Sequence, residues 1–217
     1  FKYNVKLNLD KLRNTLRTTL IDIWEYVIPI WKISGLFKSI KSKKDLENFI
    51  QERSAHVSQT TLYGYLKTRI GVKYIAMMED EVFLKSINIA KWNIYVVALA
   101  DCTFYVFSYL ISEKNLKEND CKEVFLHILE NEKKNGLSDE IFDRGKKNFL
   151  ERLDKVNFSN YHLNYPFKES GKALYYWSPI ADELKFLDKK IVLNSIHLKW
   201  GLVKDEFTKL TKNLKFN

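Results

Sequence analysis

The longest nearly uninterrupted run of apolar positions lies in the middle of the chain, at residues 94–111. Only Asp101, Thr103 and Ser108 interrupt it, so a helix formed by this run has no broad polar face. Such a helix is covered either by neighbouring helices or by lipid. Lipid is the weaker interpretation, because the run is short for a membrane span and carries a carboxylate near its centre. We therefore predict a buried central helix at about residues 79–112.

Helical spacing of apolar residues continues through most of the remaining chain. The chain has only 7 Gly and 3 Pro, which disfavours the frequent turns of a sandwich or barrel. We predict an all-α fold, an irregular multi-helix bundle around the central helix, with residues 1–217 in one domain. The other predicted helices cover residues 9–31, 42–70 and 120–134, a segment from 138, one from Ser178–Pro179 and a last one at about 188–214.

Two stretches depart from the helical pattern. Residues 1–9 alternate between apolar and polar, which is typical of a strand, but no second convincing strand is present to pair with them. We predict an extended N-terminal arm, with pairing to another chain as the alternative. Residues 157–171 combine aromatic residues with turn formers, which predicts an irregular loop before the two C-terminal helices.

The chain is basic, with a formal net charge of +9. A basic surface raises nucleic acid or an anionic membrane as partners. Lysine outnumbers arginine by 30 to 6, however, and arginine is the residue that forms bidentate hydrogen bonds with phosphates and bases. A compositionally biased genome also produces lysine in this abundance, and we favour that explanation. Cys102 and Cys121 match no metal spacing and indicate reduced thiols in a cytoplasmic protein.

The common catalytic and nucleotide-binding motifs are missing from the sequence. Neither of the glycine-rich phosphate-binding loops occurs, nor does the nucleophile elbow of the α/β-hydrolases. The four histidines lie far apart and form no H-E-x-x-H pair. We therefore predict no metal and no cofactor, and we lean against an enzyme.

One polar stripe on the helix at 42–70 has the residue types of a ligand-binding site. Arg53, His56, Thr60, Tyr63 and Lys67 follow one another at steps of three and four and share one face, and Arg53, His56, Tyr63 and Lys67 are the predicted ligand-binding residues. A histidine between arginine and tyrosine is suited to bind an anion or to transfer protons, with Asp101 as the second catalytic candidate. The alternative is a polar helix face with one half-buried histidine, and we favour it.

The middle of the same helix is built from small polar residues rather than good helix formers. We predict that Ser54, His56, Thr60 and Asp101 lie in one inter-helix region, because buried polar groups must find hydrogen-bond partners. In a structural region, neighbouring side chains satisfy His56 and Asp101. In a ligand site, a cavity reaches both of them.

A segment near the N-terminus combines aromatic residues with lysines, which is typical of a helix lying on a membrane surface. The alternative is an amphipathic helix packed on the central one, followed by a solvated lysine loop. The predicted partner-binding or membrane-binding residues are Trp24, Trp31, Phe37, Lys38, Lys41, Lys43 and Lys44.

These observations favour a non-enzymatic helical interaction protein, an adaptor or assembly factor. A protein partner is the first expectation, an anionic membrane surface the second and nucleic acid the third, bound through lysines and aromatic residues. The class that competes with it is an enzyme or small-ligand-binding protein with a polar inter-helix pocket around His56 and Asp101. The expected location is the cytoplasm, with the inner face of a membrane as the alternative.

Overall fold

A computed structural model describes residues 39–117 and 119–214 of the chain. These residues form helices and turns and no strand, so the predicted all-α bundle around a long central helix is confirmed. The helices are α1 (Lys43–Ile70), α2 (Tyr74–Met77), α3 (Glu81–Lys114), α4 (Cys121–Lys133), α5 (Asp139–Leu153), α6 (Lys168–Trp177) and α7 (Asp182–Leu210), with a 3-10 turn, Gly71–Lys73, before α2. The predicted arm at 1–9 and the predicted helix at 9–31 lie outside the described residues, so the single domain over residues 1–217 stays a prediction.

Helix α3 is the predicted central helix, and α1, α4, α5 and α6 all pack against it. It begins where the Asp80 carboxylate accepts a hydrogen bond from the Phe83 N–H at 2.8 Å, and it ends at the left-handed residue Asn115. By length and composition alone α3 is apolar enough to cross a membrane. Of its most apolar window, 83% is buried inside the bundle. Neighbouring helices therefore cover this helix, as expected for a core helix.

Local sequence signals place the ends of α1 where they were predicted. The Ser42 hydroxyl accepts a hydrogen bond from the Asp45 N–H, and the Asp45 carboxylate accepts one from the Ser42 N–H. This reciprocal pair is a capping box. At the other end, Gly71 adopts a φ of 62°, which glycine reaches without the steric cost of a Cβ.

The C-terminal third differs from the sequence-based boundaries. Helix α6 begins at Lys168, inside the loop predicted at 157–171, and the break between the last two helices falls at 178–181 rather than near 188. Ser178 adopts an extended ψ of 127° because the residue before a proline is disfavoured in the helical region. Pro179 therefore follows the end of α6 and does not open α7, which begins at Asp182.

A close approach between α5 and α3 depends on Gly145. A Cβ placed at this position would lie 2.3 Å from Val96 Cγ1 of α3, far inside van der Waals contact. Glycine is a poor helix former, and the sequence alone indicated only that Gly145 weakens α5. The structure supplies the reason for a glycine here, since any side chain would push the two helices apart.

Among the described residues helix α7 packs along one face, mainly against α6 and α1 and, through Phe207, against Tyr105 and Tyr109 of α3. That face buries large apolar side chains, among them Trp200, which stacks on Phe167 with ring centroids 4.2 Å apart. Its other buried residues are Val192, Ile196, Val203, Glu206 and Phe207. The opposite face of α7 points away from the bundle.

Candidate functional site

Arg53, the first residue of the predicted ligand-binding stripe, is buried in an ion pair between α1 and α7. Its Nε and Nη2 atoms each donate to a carboxylate oxygen of Glu206 at 2.7 Å. Arg53 is 1% exposed and Glu206 is 9% exposed. This bidentate geometry is typical of a guanidinium bound to a carboxylate. It joins α1 and α7 through two residues that are 153 positions apart in sequence.

His56 lies one turn further along α1 and is half-buried. Its Nε2 atom is buried and has no hydrogen-bond partner among the described residues. Burial lowers the pKa of His56 from 6.5 to about 4, and the charges of Lys199 and Arg53 act in the same direction while Glu206 opposes them. The imidazole is therefore neutral at physiological pH, and its basicity is too low for an efficient general base there.

The rest of the predicted stripe contributes little that is specific to ligand binding. Tyr63 is half-buried against the hydrophobic core, and Lys67 is exposed near the end of α1. Thr60 donates from its hydroxyl to the His56 carbonyl of its own helix at 2.7 Å. Ligand binding by Arg53, His56, Tyr63 and Lys67 stays a prediction.

Asp101 is fully buried and caps a different helix. One carboxylate oxygen accepts the Ser170 N–H in the first turn of α6 at 2.7 Å, and the other accepts a charge-assisted hydrogen bond from Arg152. The Tyr161 hydroxyl lies 3.5 Å from the same oxygen. Burial raises the pKa of the Asp101 carboxyl, while Arg152 and the Ser170 N–H oppose that shift. The carboxylate stabilises the positive end of α6 and anchors the chain that precedes it.

The side chains of Ser54, His56, Thr60 and Asp101 form no hydrogen bond with one another in the described part of the chain. Ser54 donates to the Ala98 carbonyl of α3 at 3.5 Å, and His56 faces the charges of α7. Asp101 is bound by donors from α5, α6 and the turn between them. The catalytic role considered for His56 and Asp101 therefore has no shared geometry to support it.

A serine and a glutamate of α3 lie together with a histidine from the turns before α6. The sequence did not predict this cluster. Ser108 Oγ is 2.9 Å from His162 Nδ1, and His162 Nε2 is 3.4 Å from Glu113 Oε1. The order resembles that of a hydrolase triad, but Ser108 is 0% exposed. Its hydroxyl donates to the Phe158 carbonyl at 2.7 Å and accepts the His162 N–H at 3.0 Å. The cluster thus anchors the turns at 154–167 to α3.

That cluster also shows what sequence reasoning lacked. Ser108 was visible as one of three polar breaks in the central apolar run, and His162 as a lone histidine in an aromatic stretch. They are 54 residues apart and share no motif, so only a polar residue inside a buried helix indicated that a partner had to exist.

The lysines predicted to bind a partner or membrane are partly engaged with acidic residues. Lys43 Nζ lies 3.1 Å from Asp120 and 2.9 Å from Glu123, and Lys44 lies 3.9 Å from Glu47. Lys41 is exposed. The other members of that predicted surface, Trp24, Trp31, Phe37 and Lys38, lie outside the described residues.

The outward face of α7 carries the most regular exposed apolar surface of the described residues. Leucine and isoleucine recur there at steps of three, four, seven and four, and each is between 38% and 70% exposed. We call this set the α7 stripe: Leu184, Leu187, Ile191, Leu198 and Leu202. Asn194 fills the gap in the middle, and the exposed charges Glu183, Lys190, Asp205 and Lys209 lie on the same face.

A second group of exposed apolar residues surrounds the turn before α3, but it has no such order. Val72 is 99% exposed, and Val82 and Phe83 line a shallow cleft of about 680 Å³ together with Pro179. Val72 belongs to the 3-10 turn, Val82 and Phe83 to the start of α3, and Pro179 to the connection between α6 and α7. Isolated exposed apolar residues are common on soluble proteins, whereas a continuous helical stripe points to an interaction surface.

Comparison with known proteins identifies no relative: no family model, no curated protein and no solved structure matches the chain. The α7 stripe is consequently the strongest functional observation in the described part of the molecule.

Proposed function

We propose that this chain is a non-enzymatic helical interaction protein that docks on a partner protein through the α7 stripe. The observation that carries the proposal is a helix with two apolar faces, of which the described residues cover one. Contact of these apolar side chains with water is unfavourable, and burying them against a partner surface lowers the free energy. A regular exposed apolar surface therefore indicates an interaction site. An amphipathic helix laid along the stripe would bury it with the side-chain spacing that helix pairs use.

The charges beside the stripe favour a protein over an anionic membrane. Glu183 and Asp205 lie on the same outward face as Lys190 and Lys209, so acidic and basic groups balance along its length. A helix that binds anionic lipid carries mainly lysine and arginine on its polar side. Mixed charges instead favour a partner with complementary charges, which sets register and specificity.

The polar groups of the bundle support an interaction protein over an enzyme. Asp101 is engaged by Arg152 and a backbone N–H, and Ser108 is engaged by two backbone groups. Groups held in this way serve the architecture of the fold. His56 has a low pKa and lies apart from both of them.

The test places a photo-crosslinking amino acid at Ile191, on the stripe, or at Glu151, an exposed position on α5, in the full chain inside cells. Docking through α7 predicts a discrete protein adduct at position 191 that is absent at position 151 and is lost when Leu187→Glu and Leu198→Glu are added. Equal adducts at both positions would contradict the proposal.

A vesicle experiment separates the membrane alternative. The purified chain is sedimented with vesicles of phosphatidylserine and phosphatidylcholine, before and after the same two substitutions. We expect no binding that depends on the stripe. Vesicle binding that Leu187→Glu and Leu198→Glu abolish would assign the surface to lipid and overturn a protein partner.

A further inference from the structure

Four members of the α7 stripe, Leu184, Leu187, Ile191 and Leu198, follow the seven-residue repeat of helices that pair with one another, and Leu202 lies beside the last core position. With Leu184 as the first core position, the core positions of successive turns are Leu184, Leu187, Ile191, Asn194, Leu198 and Gly201. This alternation of three and four is the spacing that keeps one seam of a helix facing a partner helix. At 1.5 Å per residue the seam is about 26 Å long.

We propose that the second helix belongs to another copy of this chain, so that two α7 helices pair antiparallel through their stripes. The inference rests on the proposed function and names the partner. In a two-fold symmetric interface the same patch is used by both copies, and each contact occurs twice. The pairing that matches the core positions sets Leu187 against Leu198 of the second copy and Ile191 against Asn194 of the second copy.

Side-chain sizes along the stripe fit this register. Leu184 is set against Gly201 of the second copy, and nothing in the described structure lies within 4 Å of the position that a Gly201 Cβ would occupy. A large residue thus meets a gap at each end of the seam. Shape matching of this kind is what close-packed interfaces require.

The charges favour the antiparallel arrangement over the parallel one. The charge that distinguishes the two orientations is Asp205, which is exposed and continues the seven-residue spacing beyond Leu198. Parallel pairing sets Asp205 against Asp205 of the second copy, a like-charge contact, whereas antiparallel pairing keeps the two carboxylates at opposite ends of the seam. Like charges across an interface disfavour association, so the charge pattern selects one orientation.

Asn194 gives the pairing its register. In the antiparallel arrangement the two Asn194 side chains lie in adjacent layers, about 4.5 Å apart along the axis, within reach of a shared hydrogen bond. A polar residue in the core of a helix pair lowers stability but penalises shifted registers, in which it would face only apolar side chains. The buried face of α7 has no part in this contact and remains packed on α1 and α6.

The first test measures the mass of the purified full chain by sedimentation over a range of micromolar concentrations. We expect a concentration-dependent dimer that is lost in Leu187→Glu/Leu198→Glu. The matched control, Val72→Glu/Val82→Glu, makes the same charge change at apolar residues of equal or greater exposure outside the stripe and keeps the dimer. Far-ultraviolet circular dichroism checks that both variants are folded.

The second test fixes the orientation by cysteine crosslinking. Leu187→Cys/Leu198→Cys is expected to form a disulfide-linked dimer on mild oxidation, because those positions face each other only in the antiparallel register. Leu187→Cys alone should stay unlinked. The native Cys102 and Cys121 are buried and unpaired, so they do not interfere. Crosslinking by Leu187→Cys alone would indicate parallel pairing and overturn the proposed arrangement.

A monomer at every concentration overturns self-association. If that monomer still gives a stripe-dependent adduct with a different protein in cells, the proposed function stands and only its partner changes. If neither a dimer nor an adduct depends on the stripe, both are overturned.

Discussion

Helices α3 and α7 are the two longest of the described part of the chain, and both are rich in apolar residues, yet they lie in opposite environments. Four other helices surround α3, so that Leu99 and Phe104 have no exposed surface. Among the described residues α1 and α6 provide most of the cover of α7, with Tyr105 and Tyr109 of α3 against Phe207, and this cover lies on one face. An apolar helix needs cover on every apolar face. The fold covers the central apolar run of α3 but, among the described residues, only one face of α7, and the uncovered face is where we place function.

The polar residues of the two helices show the same contrast. Asp101 of α3 is sealed among donors from other helices, so its role is confined to the fold. Asn194 of α7 faces outward in the middle of the stripe. A buried polar group forms its hydrogen bonds within the molecule, whereas an exposed polar group can form hydrogen bonds with water or with another molecule.

The largest expected effect comes from making the same substitution in both helices. Leu99→Asp places an unpaired charge at a position with 0% exposure, and we expect a loss of about 4–5 kcal/mol or insoluble protein. Leu198→Asp changes a residue that is 70% exposed and should cost about 1 kcal/mol or less, mainly in helix propensity. Urea unfolding of the two variants at low protein concentration measures both. Equal losses would refute the contrast between the helices.

The next effect concerns how α7 is attached to the bundle. Arg53→Met leaves the Glu206 carboxylate buried without its cation and should lower the free energy of unfolding by about 3–5 kcal/mol. Arg53→Met/Glu206→Leu should recover most of that loss, since an apolar pair replaces the ion pair. Lys172→Met, which removes one partner of the exposed pair with Glu169, is the control and should cost less than about 1 kcal/mol. Thermal melts of the wild type and the three variants show whether the buried ion pair or apolar packing alone holds α7 on the bundle.

A smaller effect with opposite signs is expected at two helical glycines. Gly145→Ala brings a Cβ against the stiff side chain of Val96, and overpacking outweighs the better helix propensity by about 1–2 kcal/mol. Gly201→Ala meets nothing within 4 Å inside the chain and, at protein concentrations where the chain is monomeric, should stabilise it by about 0.5–1 kcal/mol. Chemical unfolding curves measure both differences. A stabilising Gly145→Ala would show that α5 does not approach α3 as closely as described.

The smallest expected effect is the pH dependence carried by His56, which lies where α1 meets α7. Its pKa is lowered to about 4 in the folded protein, mainly by burial, from the ordinary value of 6.5. Between these values the unfolded chain binds the proton that the folded chain rejects, so stability falls as the pH is lowered through this window.

The ring is partly exposed, which reduces the effect to on the order of 1 kcal/mol between about pH 7 and pH 5. His56→Gln should remove that part of the pH dependence. The comparison of wild-type and variant unfolding curves at the two pH values isolates it from the other titrating groups. An unchanged pH dependence in the variant would place His56 in a more hydrated setting.

Local chemistry explains which parts of the fold were predictable. The capping box at Ser42 and Asp45, the glycine at 71 and the long apolar run of α3 each act within a few residues, so the pattern of the chain reveals them. The sequence predicted no helix at 168–177, because the group that caps α6 is the Asp101 carboxylate, 69 residues away in sequence. The break at Ser178 was misplaced because Pro179 fits both the start of one helix and the end of another.

The candidate site follows the same division. The sequence showed that Arg53 and His56 share a helix face, but not that Glu206 and Lys199 of α7 would approach that face and set its charge balance. It showed that the outward positions of α7 are apolar at helical spacing, but a helix with apolar residues on two sides does not reveal which side the bundle covers.

By itself the sequence determined the class of the fold, the helix that forms its centre and most of the helix ends, because these depend on spacing, propensity and caps within one turn of the chain. Only the tertiary structure decided which polar residues meet and which apolar face stays exposed. Hydrogen bonds and ion pairs between helices depend on packing, and packing depends on all of the helices together. The α7 stripe is apolar by sequence, and it is a surface only because the bundle has no further helix among the described residues to cover it.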